Sequence, residues 1–340
     1  MTKPRKKRQG SKSSFRSSSV LQEVITAIRR GNSFLITTHA NPDGDALGSA
    51  IALGLGLKKL GKKVKIYNAD PVPGNLRFLS GSKQVTSSLG ADECFDAAFI
   101  VDCAEPERVG EIFLKHRNCG RLIVIDHHRK SGRGGDINLT LPTAASTGVM
   151  VRSLLKKLRV PITRAIAENI YTTLVTDTGN FRYSNTDAGV FGIAKELVET
   201  GVSPWIVSKN IYENYPVERI LLLSRILPTL QISPDKRYAS IVISQQSLKE
   251  VGAGSDLTDE FINYPRSINT VEVAIQFRET PEDKWKVSFR SKEFVDVATL
   301  AARFGGGGHI RAAGCTFEGL PLEEVRQKIF AAVEQALQKS

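Results

Sequence analysis

Three short, β-branched apolar runs early in the chain each end on acidic or histidine side chains, and no other feature limits the fold as much. Residues 33–38 lead straight into His39-Ala-Asn-Pro-Asp43-Gly-Asp45, residues 97–102 end on Asp102, and residues 121–126 run into Asp126-His127-His128. Continuous apolar runs of this length suit strands buried on both faces of a parallel sheet. Helical patterns alternate with them, as at residues 45–60, where Gly61 ends the pattern. Strand–helix alternation predicts an α/β fold with a parallel sheet covered on both sides. Open sheets of this kind bind ligands beyond the carboxyl ends of their strands, where these acids and histidines lie.

The 340 residues lead us to expect two domains, at roughly 100–200 residues each. A helix is predicted at residues 20–30, a strand at 63–67, and helices dominate residues 146–230. The texture changes after Pro234. Strand-like runs at 237–244, 270–277 and 285–290 are followed by helical patterns at 296–304 and 322–338. This reads as a second, smaller α/β domain over 235–340, joined to a first domain over 20–200 by a helical connector at 201–234 that Pro216 and Pro228 interrupt. There is no internal repeat.

The net charge is +12, and residues 1–19 supply seven of those charges with no acid among them, leaving +5 for the rest. A Ser/Lys/Arg/Gly segment of this kind cannot bury a core, so a disordered basic tail is expected over 1–19. Such a tail acts either as a solubiliser or as a weak, nonspecific nucleic-acid contact. It has no apolar stretch behind it, as a secretory signal requires, and no run approaches the ~18 apolar residues of a membrane span. The four cysteines show no CxxC pairing, so a reduced, cytoplasmic protein with no membrane partner is expected.

Pro42 and Gly44 force a tight turn after the first strand, so His39, Asp43 and Asp45 can converge, with Asp45 at a helix N-terminus where a carboxylate is favoured. Thr176-Asp177-Thr178-Gly179 ends a further apolar helix. Two histidines with four or five aspartates and no cysteine suit Mn²⁺, Mg²⁺ or Fe²⁺ better than a structural zinc. So many carboxylates suggest two ions, the device that creates hydroxide at neutral pH and holds phosphate oxygens during in-line attack. No Gly-x-Ser-x-Gly elbow, Cys/His signature or Walker A loop competes. In the second domain, Gly305-Gly306-Gly307-Gly308 is followed by His309 and Arg311, which points to anion recognition by backbone amides and cations. Arg290, ending a predicted strand, is a further phosphate candidate.

Asp126-His127-His128 together with His39, Asp43, Asp45, Asp102 and Asp177 resembles the DHH phosphoesterase superfamily, and residues 305–314 resemble its DHH-associated C-terminal domain. The resemblance spans residue 20 to the C-terminus and is most similar to the bacterial nano-RNase group, oligoribonucleases that also remove the 3′-phosphate of 3′-phosphoadenosine 5′-phosphate. It implies a two-Mn²⁺ centre. His39, Asp43 and Asp102 hold one ion, while Asp45, Asp102, His127 and Asp177 hold the other, with Asp102 bridging. It also implies that His128 faces the scissile phosphate, that Arg290, Gly306, Gly307, Gly308, His309 and Arg311 grip the nucleotide across an interdomain cleft, and that the first domain forms a homodimer. One departure is Val149, which stands where many relatives have a glutamate.

The function expected is metal-dependent hydrolysis of short RNA and related nucleotides, in a catalytic domain at 20–200 and a substrate-binding domain at 235–340. The alternatives are a cyclic- or linear-dinucleotide phosphodiesterase, whose motifs are the same, and an inactive nucleic-acid-binding protein, which predicts eroded metal ligands. Every ligand position is filled by a competent residue.

Overall fold

The computed structural model describes residues 11–103, 105–116, 119–128 and 134–338. They form two compact units that divide between Asn214 and Tyr215. The division falls inside the stretch expected as a connector, whose helices belong one to each unit.

The first unit runs α1 (Ser11–Arg30), β1 (Ser33–Thr37), α2 (Gly44–Lys59), β2 (Lys63–Tyr67), β3 (Val85–Thr86), β4 (Phe95–Val101), α3 (Glu111–Lys115), β5 (Cys119–Asp126), β6 (Ile137–Thr140), α4 (Thr147–Lys157), α5 (Arg164–Asp177), α6 (Ala188–Glu199) and α7 (Pro204–Tyr212). Among the described residues, six parallel strands pair in the order β3-β2-β1-β4-β5-β6. The middle strands are apolar along their buried stretches because both of their faces are covered there. Phe34, Ile36 and Phe99 enter the larger core with α2, α4 and α5, while Leu35, Ala98, Ile100 and Val124 pack on the other side with Phe113 of α3. Helix α2 lies close against α5. A Cβ on Gly48 would meet the Asn169 carbonyl oxygen at 2.7 Å, so only glycine allows the approach.

Helix α1 begins at Ser11, nine residues before the expected start, so the expected disordered tail is helical over residues 11–19. Residues 1–10 lie outside the described residues. The apolar spacing starts only at Val20, and Val24 and Ile28 are fully buried. The periodicity therefore marked where α1 packs rather than where it begins.

The second unit runs α8 (Val217–Ile226), β7 (Gln231–Ile232), β8 (Tyr238–Ile243), α9 (Gln245–Val251), α10 (Asn263–Ser267), β9 (Val273–Glu279), β10 (Lys284–Ser291), α11 (Val297–Ala302), β11 (Gly307–His309), β12 (Ala312–Glu318) and α12 (Leu322–Gln338). Its strands pair in the order β11-β12-β10-β9-β8-β7, with β8 and β9 parallel and the other pairs antiparallel. Val287, Phe289, Ala313 and Cys315 pack with Val297, Leu300, Val325 and Ile329 of α11 and α12 into one core. Ile241 and Ile243, on the opposite face of β8, pack with Leu222, Leu248 and Phe261. Among the described residues no helix is long and apolar enough to cross a membrane.

Candidate metal centre

The order β3-β2-β1-β4-β5-β6 reverses direction between β1 and β4, and such a switch point opens a crevice at the carboxyl ends of the two strands. His39 follows β1 and Asp102 follows β4, so the topology alone brings them together. Asp102 has φ +55°, a left-handed conformation uncommon outside glycine that aspartate adopts more readily than most residues. The backbone thus leaves β4 abruptly, and the carboxylate is buried (3% exposed). His39 Nε2 lies 4.0 Å from Asp102 Oδ2. The turn after β1 is held from outside: Ala40 N–H donates to the Arg108 carbonyl at 2.7 Å, and Asn41 N–H donates to Asp70 Oδ2 at 2.6 Å.

Asp43 and Asp45 divide the work at the start of α2. Asp43 caps the helix, its Oδ1 accepting from Ala46 N–H at 3.0 Å. Asp45 is fully buried and reaches across to the N-terminus of α4, accepting from the N–H groups of Thr147 at 2.8 Å and Gly148 at 3.1 Å, and from the Ser49 hydroxyl at 3.1 Å. The Thr147 hydroxyl donates to Asp102 Oδ1 at 2.9 Å. The first residue of α4 therefore serves two carboxylates at once, a role that sequence reading missed. Its signal was the Ser146-Thr147-Gly148 helix start, where Ser146 caps α4. Val149, in the third helical position, packs its side chain against the core.

The two histidines with Nε2 directed at carboxylates are each held through Nδ1. The ring Nδ1 of His39 contacts the Ala40 carbonyl oxygen at 2.9 Å, and that of His127 contacts the Ala144 carbonyl oxygen at 3.1 Å. A carbonyl only accepts, so each Nδ1 carries hydrogen and each ring turns Nε2 toward the carboxylates. His127 Nε2 lies 3.1 Å from Asp177 Oδ2, 3.6 Å from Asp45 Oδ2 and 3.7 Å from Asp102 Oδ1. An imidazole Nε2 directed at several buried carboxylate oxygens is an arrangement in which these groups can share a cation. His128 is held differently, with Nδ1 2.6 Å from Asp126 Oδ1, which also accepts the His128 backbone N–H.

The electrostatics agree. Burial, and then Asp45, Asp43 and Asp177, push the Asp102 carboxyl well above its usual range. Burial likewise leads in raising Asp177, followed by Asp45 and Asp43, and in raising Asp45 against the pull of His127. Carboxyl groups that repel one another in a buried pocket want positive charge. Among the described residues, three sets of donor atoms, each set within 4.8 Å, could hold an ion: His39, Asp43 and Asp102; Asp45, His127 and Asp177; and Asp102, His127 and His128. All six expected ligand positions fall in these sets, and Asp102 belongs to two. The residues present fit divalent metal.

The expected substrate contacts of the second unit fall into different situations. Gly306 and Gly308 serve packing, because a Cβ on either would collide with backbone of β12, at the Gly314 and Ala312 carbonyl oxygens respectively. Gly307 faces open space within β11. Arg311 turns its guanidinium onto the turn after β10, donating to the carbonyls of Val295 (2.9 Å) and Glu293. Arg290 is half-buried on β10, and its Nη1 donates to the Phe289 carbonyl. The side chain of His309 lies outside the described groups.

Residues 33–174 match the DHH family, N-terminal domain, and residues 240–339 match the DHHA1 domain. The chain is 32% identical, over 94% of both lengths, to the bifunctional oligoribonuclease and PAP phosphatase NrnA of Thermus thermophilus. It is 26% identical to the enzyme of the same name from Bacillus subtilis, over 86% of this chain and 92% of that one. Among solved structures, an exopolyphosphatase-related protein from Bacteroides fragilis superposes with a TM-score of 0.84 at 27% identity, covering 95% of this chain and 96% of that one. With its strand-end carboxylates and histidines and its second-unit sheet both accounted for, the chain belongs to the DHH family and is a phosphoesterase hydrolase.

Proposed function

We propose that the protein is a Mn²⁺-dependent phosphoesterase that hydrolyses short oligoribonucleotides to mononucleotides and converts 3′-phosphoadenosine 5′-phosphate to AMP. The observation that carries this reading is the meeting of two donor sets in one pocket, with Asp102 beside both, in a chain similar from end to end to enzymes named for those two activities. His39, Asp43 and Asp102 would hold one ion, and Asp45, Asp102, His127 and Asp177 the other. When bound, two divalent ions supply Lewis-acid stabilisation of phosphate charge and lower the pKa of water.

The chain's own groups do the rest. The Ala40 and Ala144 carbonyls orient the two imidazoles, and the helix start at Thr147–Gly148 locks Asp45. His128, tethered by Asp126, would face the scissile phosphate. In the second unit we assign nucleotide binding to Arg290, His309 and the open backbone at Gly307, and a positioning role to Arg311, whose guanidinium fixes the turn at Glu293–Val295. The homodimer we expect through the first unit is consistent with exposed apolar side chains on α6 and α7, namely Phe191, Val198, Trp205 and Ile206. Light scattering on the purified protein tests it.

The test of function is a substrate panel with purified protein and Mn²⁺. It compares an RNA dinucleotide, a pentanucleotide, 3′-phosphoadenosine 5′-phosphate, cyclic di-AMP, its linear product and pyrophosphate. Faster turnover of the RNAs and the 3′-phosphate than of the others is expected. Ring opening of cyclic di-AMP at equal or greater rate would overturn the proposed substrate class, and a metal-loaded protein inert on every compound would overturn the catalytic reading.

A further inference from the structure

One peptide unit of the turn after β1 stands between His39 and a carboxylate outside the metal centre. His39 Nδ1 donates to the Ala40 carbonyl at 2.9 Å, and the Asn41 N–H donates to Asp70 Oδ2 at 2.6 Å. That carbonyl and that N–H belong to the same peptide bond, the one between Ala40 and Asn41. The unit is planar and, like every peptide bond among the described residues, trans, so its C=O and N–H point in opposite directions. It forms a rigid plate with a carboxylate at one end and an imidazole at the other. Asn41 reaches this position with φ +52°, a left-handed conformation that asparagine tolerates better than most residues. Asp70 is itself braced from the sheet edge. It follows β2 by three residues, where buried Asn68 donates Nδ2 to the Asp70 carbonyl and its backbone N–H to the Thr86 carbonyl of β3, both at 3.0 Å. A negative charge on the N–H side polarises an amide and makes its carbonyl a stronger acceptor. A stronger acceptor on one ring nitrogen raises the basicity of the other toward a metal. Among the described residues His127 is held without such a relay: its Ala144 carbonyl shares a peptide with the Ala145 N–H, which meets no carboxylate.

We propose that Asp70 is a positioning residue for the metal centre. Through the Ala40–Asn41 peptide it aligns the His39 ring and strengthens Nε2 as a ligand, and so sets the affinity of the ion held by His39, Asp43 and Asp102. The ion held by Asp45, His127 and Asp177 has its own support in the start of α4, which fixes Asp45. The inference rests on the two-ion reading above and deepens it. Asp70 contributes both an acceptor that fixes the peptide plane and a charge that polarises it. Asparagine at this position keeps the first and loses the second, and alanine loses both.

The experiment titrates the metal-free full chain with Mn²⁺ by calorimetry, with a thermal melt of each variant to check that it is folded. The wild type should take up two ions. Asp70→Ala should weaken one of them about tenfold and leave the other within about twofold, as expected for loss of a partner behind a single ligand. Asp70→Asn should weaken the same ion about threefold, because a neutral acceptor replaces a charged one. In a His39→Gln background, Asp70→Ala should change neither ion by more than about twofold, since the relay then has no imidazole to act on. If the wild type takes up two ions and both Asp70 variants bind them as it does, the inference is overturned while the two-ion reading stands. An Asp70→Asn protein equal to the wild type beside a weakened Asp70→Ala overturns it too, because geometry without charge would then suffice. So does equal weakening of both ions. Should Asp70→Ala fail to fold, Asp70→Asn alone decides. A wild type that takes up one ion only overturns the two-ion reading and the inference with it.

Discussion

Replacing Thr147 with valine removes one hydroxyl from the metal centre and leaves shape and β-branching nearly unchanged. That hydroxyl donates to Asp102 Oδ1 at 2.9 Å, between a residue with no exposure and one with 3%. The Thr147 backbone N–H to Asp45 is unaffected by the change. A hydrogen bond to a charged group contributes about 1.5–3 kcal/mol. Asp102 stands beside both donor sets, so loss of its orientation should appear as weaker metal binding of about 10- to 100-fold, in line with other losses of a partner behind a metal ligand. Calorimetric titration of the metal-free protein with Mn²⁺ gives the affinity directly, and a thermal melt of each variant checks that the fold is retained. Thr147→Ser keeps the hydroxyl and should bind metal within about threefold of wild type. A Thr147→Val protein that melts normally and binds Mn²⁺ as the wild type does would refute the reasoning, because Asp102 would then be oriented by its backbone alone.

Asp102→Ala should cost the most activity of any single ligand change, more than about a hundredfold, since it removes the carboxylate beside both donor sets; kcat/KM near wild type on the RNA dinucleotide would refute the two-ion arrangement. In EDTA the folded-state carboxyls of Asp102 and Asp177 are raised, chiefly by burial. The native state then binds protons more readily than the unfolded chain, so metal-free stability is fully present at low pH and is lost as pH rises through the raised values. Thermal melts in EDTA should accordingly show a midpoint that falls as pH rises from the acid side, and Mn²⁺ should flatten the difference. Gly306→Ala should destabilise the second unit by about 1–3 kcal/mol, because the new Cβ would meet the Gly314 carbonyl, whereas Gly307→Ala has open space and should melt like the wild type; equal melting midpoints for the two would show that β11 does not sit as described.

Much of the first sheet was legible because its central strands are buried on both faces and their apolar runs stop where the chain reaches the crevice. Ile123-Val124-Ile125-Asp126 shows this most clearly: three fully buried residues, then the acid that holds His128. Apolar periodicity also marked α12 at its observed bounds. What stayed hidden depended on conformation or on small residues. Asp102 looks like the last residue of a strand, but it leaves the strand with a positive φ that no pattern announces. Strand β12, Ala-Ala-Gly-Cys-Thr-Phe-Glu, opens on four small residues in place of the branched side chains that signal a strand, and the close approach of β11 at Gly306 and Gly308 goes with them. The glycine run read as a cradle for an anion, yet two of its members answer first to the backbone of β12. Arg311 was legible as a cation but not as one already committed to carbonyl oxygens.

The bond between Asp45 and the start of α4 spans about a hundred positions of chain, and Asp177 comes thirty residues later still. On a ribosome, the turn that carries His39, Asp43 and Asp45 emerges long before either partner exists. Through that interval its aspartates have only water and the first turns of α2 to satisfy them. The pocket closes only when α5 has been made and has docked on α2, roughly halfway through synthesis of the 340 residues. None of the three donor sets draws on the later half. Every ligand of the centre is thus made before the second unit is translated.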